Sequence, residues 1–182
     1  ILTDSLNFPS DLYVLQGVVE QLGRERRIER ADSADGIHID TESILRRIHE
    51  DTALVYLTHV SFKSGFMHDM RAITEAAHRH GSLVLWDLSH SVGAVPLELS
   101  AADVDLAVGC SYKYLNGGPG APAFLYVHRR LKDRLHSPIQ GWFGSDDPFA
   151  FQLDYRPANG IQRFCAGTPP ILAMKAIQAG LD

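Results

Sequence analysis

The sequence predicts an α/β fold, a three-layer α/β/α arrangement in which helices cover both faces of a mostly parallel sheet. First, short continuous apolar segments, typical of strands buried on both faces, alternate along the chain with amphipathic segments of helical period. Second, the 182 residues are 45% apolar and 21% charged, which is enough for one domain with a hydrophobic core. Third, no internal repeat or low-complexity segment interrupts the alternation.

The first half of the chain is predicted to contain three helices, which begin or end at recognisable signals. Ser10 or Asp11 is a suitable N-cap for the first helix, Asp40 is one for the second, and Gly81 ends the third. The predicted elements are a helix at 11–22, a short strand at 27–31, a helix from 40 to about 49, a buried strand at 53–58 and a helix at 69–80.

The second half of the chain is predicted to contribute three more strands, followed by a long irregular segment. The elements are strands at 82–86, 106–109 and 123–127, a short helix at 129–135 and a helix at 171–182. Between residues 141 and 167 the periodicity fades, and Gly, Pro and aromatic residues dominate. Long irregular segments in compact domains often carry function.

Both ends of the chain are unusual. The chain begins with Ile1-Leu2-Thr3, without Met, as if inside a strand, and its final helix has no stop signal other than Gly180. We therefore expect the 182 residues to be part of a longer protein.

Composition argues against several classes of function. Seventeen basic and 22 acidic residues give a net charge of −5, and the basic residues are scattered, so nucleic acid is not the expected partner. No segment approaches the roughly 20 apolar residues of a membrane helix, and no leader pattern is visible. The two cysteines form neither a disulfide framework nor a metal-ligand spacing, and the histidines have no zinc spacing. We expect a cytoplasmic protein without a bound metal.

The polar residues that follow the predicted strands are the candidate functional residues, because ligands of open α/β sheets bind beyond the carboxyl ends of the strands. Thr58 follows one strand, Asp87 and His90 follow the next, and Ser111-Tyr112-Lys113 follows the third. Three successive strand ends therefore present a hydroxyl, a carboxylate with a histidine, and a lysine.

Asp87 and Lys113 together suggest pyridoxal phosphate (PLP) as a cofactor. A desolvated lysine becomes a nucleophilic amine suited to a Schiff base, and a carboxylate can keep the pyridine nitrogen protonated. Each residue also has an ordinary alternative: an isolated Asp after a strand is more often a helix cap or a loop carboxylate, and most lysines are solvated surface charges.

Five sequence blocks in consistent order resemble the kynureninase family of fold-type-I PLP enzymes. Tyr112 precedes Lys113, whereas a histidine usually holds that place in the related cysteine desulfurases, and this favours kynureninase. The blocks are Phe8-Pro-Ser-Asp11, the stretch from Trp86 to Pro96, the stretch from Asp105 to Pro122, Gly141-Trp-Phe-Gly144 and Phe164-Cys-Ala-Gly-Thr-Pro169.

The resemblance assigns three catalytic residues. It implies that Lys113 forms the Schiff base with PLP and moves the α-proton of the substrate, that Asp87 pairs with the pyridinium nitrogen, and that Tyr112 reaches the phosphate and acts as an acid at the substrate β-carbon.

The resemblance also implies a cofactor pocket. Phe8 would stack on the cofactor ring, and Trp142 and Thr168 would complete the site from the partner subunit of a homodimer. Ordinary structural roles stay open for several of these residues: a core aromatic for Phe8 and Trp142, a structural histidine for His90 and a turn residue for Thr168. The complete set of cofactor-binding residues is Phe8, Pro9, Ser10, Asp11, Thr58, Asp87, His90, Tyr112, Lys113, Trp142 and Thr168.

The activity implied by the resemblance is hydrolysis of L-kynurenine, or of 3-hydroxykynurenine, to anthranilate or 3-hydroxyanthranilate and L-alanine, in tryptophan catabolism and NAD biosynthesis. Residues 1–182 would be part of the large PLP-binding domain, truncated at both ends and without the C-terminal small domain. The alternatives are another class V PLP enzyme, such as a cysteine desulfurase or aminotransferase, and a catalytically incomplete fragment. The family's phosphate-loop threonine and its arginine for the substrate carboxylate map onto no residue here.

Overall fold

A central sheet organises the computed structural model, which describes residues 1–23 and 25–181. These residues form a six-stranded sheet of order β2-β1-β3-β4-β5-β6. All neighbouring strands pair in parallel except β5 and β6, which are antiparallel. The strands are β1 (Leu2–Asp4), β2 (Glu29–Ala31), β3 (Leu54–Thr58), β4 (Leu83–Asp87), β5 (Leu106–Cys110) and β6 (Ala123–Val127). The predicted α/β class with a mostly parallel sheet is confirmed.

The helices begin largely at the predicted signals. The Asp40 carboxylate accepts a hydrogen bond from the backbone N–H of Glu42 at 3.2 Å, and the Asp69 carboxylate accepts one from that of Ala72 at 3.0 Å. The α-helices are α1 (Pro9–Leu22), α2 (Thr41–Leu45), α3 (Met70–Arg79) and α4 (Ile171–Leu181). Short 3₁₀ helices at Trp142–Gly144, Pro148–Ala150 and Gly160–Phe164 punctuate the irregular segment.

Three local predictions are wrong. Helix α1 begins at Pro9 and is preceded by Phe8, without a side-chain cap from Ser10 or Asp11, because a proline with its fixed φ is well suited to the first helical position. Helix α2 ends at Leu45 instead of about residue 49. The predicted helix at 129–135 forms successive turns instead, where Arg130 bonds to Asp103 and Asp105 on the segment that leads into β5.

One face of the sheet packs against the main hydrophobic core. Val55, Leu57, Val84 and Trp86 are completely buried and pack with residues of α2 and α3 in one core cluster. Successive side chains of a strand point to opposite faces, so Thr58 and Asp87 lie on the other face. The core therefore fixes the backbone of β3 and β4 from one side and leaves the polar residues at their ends free to face a ligand on the other.

Among the described residues, no helix combines the length and apolarity that crossing a bilayer requires.

Candidate active site

The candidate site lies where β3, β4 and β5 end. Thr58 and Asp87 are register partners across β3 and β4, and Asp87 is in turn paired with Val108 of β5. The backbone N–H of His59 donates to the carbonyl of Asp87 at 2.9 Å, and that of Leu88 donates to the carbonyl of Val108 at 2.8 Å. The backbone pairing therefore extends one residue beyond β3 and β4 and holds Asp87 in a fixed place. This place is at the carboxyl ends of the strands, where ligands of open α/β sheets bind.

Lys113 reaches into this site and contacts His90. Its Nζ lies 2.9 Å from Nε2 of His90, 5.7 Å from the ring centre of Phe8 and 5.5 Å from that of Tyr112. Burial and, after it, the positive charge of Lys113 lower the pKa of His90, although Asp87 opposes this. The imidazole is therefore neutral near pH 7, and its Nε2 accepts a hydrogen bond from the lysine amine.

Asp87 is held by its own turn. The side chain is almost fully buried, and its Oδ1 accepts hydrogen bonds from the backbone N–H of Ser89 at 2.9 Å and from the Ser89 hydroxyl at 2.6 Å. The loop-carboxylate alternative thus describes part of its role, because Asp87 does order the turn after β4. The same bonds also fix the direction of the carboxylate.

A second carboxylate, that of Asp11 in the first turn of α1, faces the same site. Burial and the nearby charge of Asp87 raise the pKa of Asp11 to about 6, and Lys113 and the Tyr56 hydroxyl act in the opposite direction. Burial, followed by the charges of Asp11 and Asp87, raises the pKa of Tyr56 far above its usual value. The phenol therefore keeps its proton and is a donor beside Asp11.

Two polar atoms of this cluster are buried without a partner. Within residues 1–23 and 25–181, Oδ2 of Asp11 and Nδ1 of His90 form no hydrogen bond. An unpaired buried polar atom costs roughly 1–3 kcal/mol, so such atoms usually mark a place where a ligand or water binds. Two carboxylates, an amine and an imidazole therefore surround a position suited to a polar, partly charged ligand.

Aromatic rings form one wall of the site. The rings of Phe8 and Phe62 meet edge to face, with centroids 5.0 Å apart and planes at 80°. The His90 ring lies 6.5 Å from Phe8 and 6.3 Å from Phe62. Phe62 was not predicted. It lies in a loop four residues after Thr58, and no periodicity distinguishes a loop aromatic from any other.

The other predicted pocket residues fall into two groups. Pro9 and Ser10 open α1 beside Asp11, and Thr58 is buried with its hydroxyl donating to the carbonyl of Val60 at 3.1 Å. Tyr112 is half exposed next to Lys113.

Trp142 and Thr168 are not brought to this cluster within one chain. In the described part of the chain, neither contacts Lys113, Asp87 or His90 through a hydrogen bond or a ring pair. Trp142 instead packs against Phe143 and Phe149, and Thr168 is exposed.

The histidines do not form a metal centre in the described residues, since no group of three or more His, Cys, Asp or Glu side chains is arranged to hold an ion. Asp4 and His68 instead make a buried pair, with Oδ2 and Nε2 3.0 Å apart.

Comparison with curated proteins identifies close relatives. A kynureninase from Pseudomonas fluorescens is 45% identical over all 182 residues, and one from Burkholderia pseudomallei (strain K96243) is 43% identical over the same length. In each case the match covers 100% of this chain and 42% of the relative, so the chain spans less than half the length of these kynureninases.

Solved structures share the fold. The apo cysteine desulfurase from Thermococcus onnurineus NA1 superimposes with a TM-score of 0.81 at 24% identity, and the cysteine desulfurase CsdA from Escherichia coli with 0.84 at 16%. Both matches cover 99% of this chain and 44% of the other. A C-DES variant with glycine covalently linked to its PLP cofactor gives 0.81 at 19%, covering 99% of this chain and 47% of the other.

The family model described as "Aminotransferase class-V" matches residues 1–182. The resemblance drawn from the five sequence blocks is therefore confirmed at the level of the PLP-dependent family. The chain belongs to the class V aminotransferase family.

Proposed function

We propose that the protein carrying this chain is a PLP-dependent kynureninase, which hydrolyses L-kynurenine or 3-hydroxykynurenine at a carbon–carbon bond and releases L-alanine. The observation that carries the proposal is the convergence of Lys113, His90, Asp87 and Asp11 around unpaired buried polar atoms at the strand ends. The identity of 43–45% to kynureninases across the whole chain supports this activity within the family.

The residues present fit PLP. The carboxylate of Asp87, held by Ser89, suits the protonated pyridine nitrogen, and the amine of Lys113 suits the aldehyde. Phe8 is 39% exposed, and its ring would offer a flat apolar face to the cofactor ring. When bound, PLP supplies an electron sink for the carbanion that forms at the substrate α-carbon.

Within this proposal, His90 orients the amine of Lys113, and Lys113 transfers a proton. Lysine attacks a carbonyl only as the neutral amine, and the neutral imidazole of His90 lies 2.9 Å from Nζ as a hydrogen-bond acceptor. This contact would orient the lysine amine within the site. The Lys113 amine would take and return the α-proton of the substrate.

The two carboxylates have separate roles. Asp87 would accept a hydrogen bond from the pyridine N–H and maintain its positive charge. Asp11, whose pKa is about 6, lies next to Asp87. The positive charge of the pyridine N–H would favour the ionised form of Asp11. Tyr112 is half exposed beside Lys113, and the resemblance assigns it the protonation of the β-carbon after the carbon–carbon bond breaks.

The proposal includes a cytoplasmic homodimer. Trp142 is 41% exposed and Thr168 is exposed, and the resemblance assigns both to the cofactor site of the partner subunit. The family's phosphate-loop threonine and substrate-binding arginine have no counterpart in the 182 residues, so full turnover requires a polypeptide that supplies them.

The test begins with cofactor binding. Addition of PLP should produce the absorbance band of its imine at about 420 nm. Lys113→Ala should abolish this band. Asp87→Ala should retain part of the band and lose most of the activity, because the carboxylate supports the electron sink and not the covalent link.

Turnover then decides between family activities. The protein carrying this chain should hydrolyse a kynurenine and should leave cysteine and keto acids unchanged. Turnover of cysteine instead would assign it to the cysteine desulfurases, and transamination of a keto acid would assign it to the aminotransferases. Absence of the imine band in the wild-type protein would contradict PLP binding itself.

A further inference from the structure

We propose that Phe62 is a positioning residue that holds the ring of Phe8 in the orientation needed to stack on the cofactor. The inference rests on the proposed function, because it takes PLP as the ligand of the site. It adds a residue that neither the sequence blocks nor the strand-end argument singles out.

Hydrogen bonds hold the backbone of Phe8, and packing against other rings orients its side chain. The Asn7 side chain accepts the backbone N–H of Phe8 at 2.9 Å and donates to the Thr3 hydroxyl at 3.2 Å. The residue as a whole is 39% exposed. Its nearest aromatic neighbour is Phe62 at 5.0 Å, whereas His90 lies at 6.5 Å. Among the aromatic neighbours, Phe62 is therefore the one best placed to restrain the plane of the ring.

Phe62 can serve as a restraint because its own loop is rigidly closed. Val60 and Met67 form an antiparallel bridge, and the backbone N–H of Ser61 donates to the carbonyl of Phe66 at 2.8 Å. The turn uses Gly65 at a φ of +72°, a conformation that favours glycine.

The same loop is tied to the segment that carries Phe8. His68, at the end of the loop, contacts Asp4 at 3.0 Å, and both side chains are at most 1% exposed. The other oxygen of Asp4 accepts the backbone N–H of Leu6 at 2.7 Å. Asp4 thus holds the start of the Phe8 segment and the end of the Phe62 loop together, which sets the distance between the two rings.

A fixed ring plane favours cofactor binding for an entropic reason. A half-exposed phenylalanine samples several rotamers, and stacking on a flat ligand selects one of them. An edge-to-face partner removes the other rotamers before the ligand arrives, so less entropy is lost on binding. Phe62 thus acts on the cofactor through Phe8.

The test is a double-mutant cycle on PLP affinity in the protein carrying this chain. The dissociation constant of PLP and the induced circular dichroism of its visible band are measured for wild type, Phe62→Leu, Phe8→Leu and the double variant. Phe62→Leu should weaken PLP binding about threefold to tenfold, the range expected from loss of one edge-to-face contact, and should reduce the dichroism. The double variant should bind no more weakly than Phe8→Leu alone, because the effect of Phe62 passes through Phe8.

Two further variants separate positioning from folding. Phe62→Tyr retains the ring and should retain wild-type affinity for PLP. Met67→Leu makes a change of similar size on the same loop, at a half-exposed side chain, and should leave the PLP affinity unchanged. Thermal unfolding of each apo protein shows whether the fold is preserved, and Phe62→Met replaces Phe62→Leu if that variant unfolds early.

The outcomes distinguish the two proposals. If wild type binds PLP and the Phe62 variants bind equally well, or if the two losses in affinity add in the double variant, the positioning role is overturned and the proposed function stands. If wild type shows no imine band, both are overturned.

Discussion

Removal of the Asp4 carboxylate should destabilise the protein strongly, although Asp4 lies outside the catalytic group. Its Oδ1 accepts the backbone N–H of Leu6 at 2.7 Å, and its Oδ2 lies 3.0 Å from Nε2 of His68. Asp4→Ala leaves two buried donors without a partner, at a cost of roughly 1–3 kcal/mol each, so we expect a loss of about 2–5 kcal/mol in the free energy of unfolding. For a domain of this size each 1 kcal/mol lowers the Tm by about 2–4 °C.

The assay is chemical and thermal unfolding of the apo protein, with Asp32→Ala as the control. Asp32 forms an exposed ion pair with Arg30 at 3.0 Å, and such pairs contribute about 0–1 kcal/mol. Asp4→Asn should lose less than Asp4→Ala, because its amide oxygen can still accept the N–H of Leu6. If Asp4→Ala unfolds within about 0.5 kcal/mol of wild type, the buried pair does not hold the two loops together and the reasoning fails.

Three further predictions concern pH and packing. The folded-state pKa of Asp11, about 6 against an ordinary value of 3.8, means that the folded protein binds the extra proton and that stability falls as pH rises from about 4 to 6. Asp11→Asn should therefore raise the Tm of the apo protein at pH 7 by a few degrees and leave it nearly unchanged at pH 4, and equal shifts at both pH values would refute this. Burial, followed by the charge of His68, lowers the pKa of His59 to about 4, so stability falls as pH drops from about 6.5 to 4. His59→Gln should therefore reduce the slope of unfolding free energy against pH in this range, and an unchanged slope would contradict the assignment. Gly93→Ala places a Cβ 2.5 Å from the carbonyl oxygen of Tyr114 at a φ of +81°. We expect it to lower the free energy of unfolding by about 2–4 kcal/mol and to weaken PLP binding, because Tyr114 adjoins Lys113. The control Gly36→Ala, with open space at a similar φ, should cost only about 1 kcal/mol.

Local sequence patterns predicted several residues of the candidate site, because the ends of the strands are visible in the sequence. Asp87 and Lys113 each follow an apolar segment, and parallel pairing brings such ends to one edge of a sheet. The chain places the Lys113 amine against His90, as expected for one pocket. Phe62 and Tyr56 were missed, since their roles arise from contacts with Phe8 and Asp11, which lie about 50 residues earlier in the chain.

The errors in the helices have a similar origin. Propensity and capping rules describe a segment by itself, and they place a helix at 129–135 and extend α2 past Leu45. In the fold, Arg130 is engaged with Asp103 and Asp105, and such tertiary bonds favour turns over a short helix that would be marginal alone.

The sequence by itself determined the α/β class, the order of the strands along the chain, and a lysine and an aspartate at strand ends, because apolar periodicity and the residues that follow it are local properties. The tertiary structure alone decided that β6 runs antiparallel, that Asp11 faces Asp87, that Phe62 packs on Phe8 and that Asp4 is buried against His68. These contacts join residues of separate elements, and no local period encodes which side chains the register of a sheet will bring together.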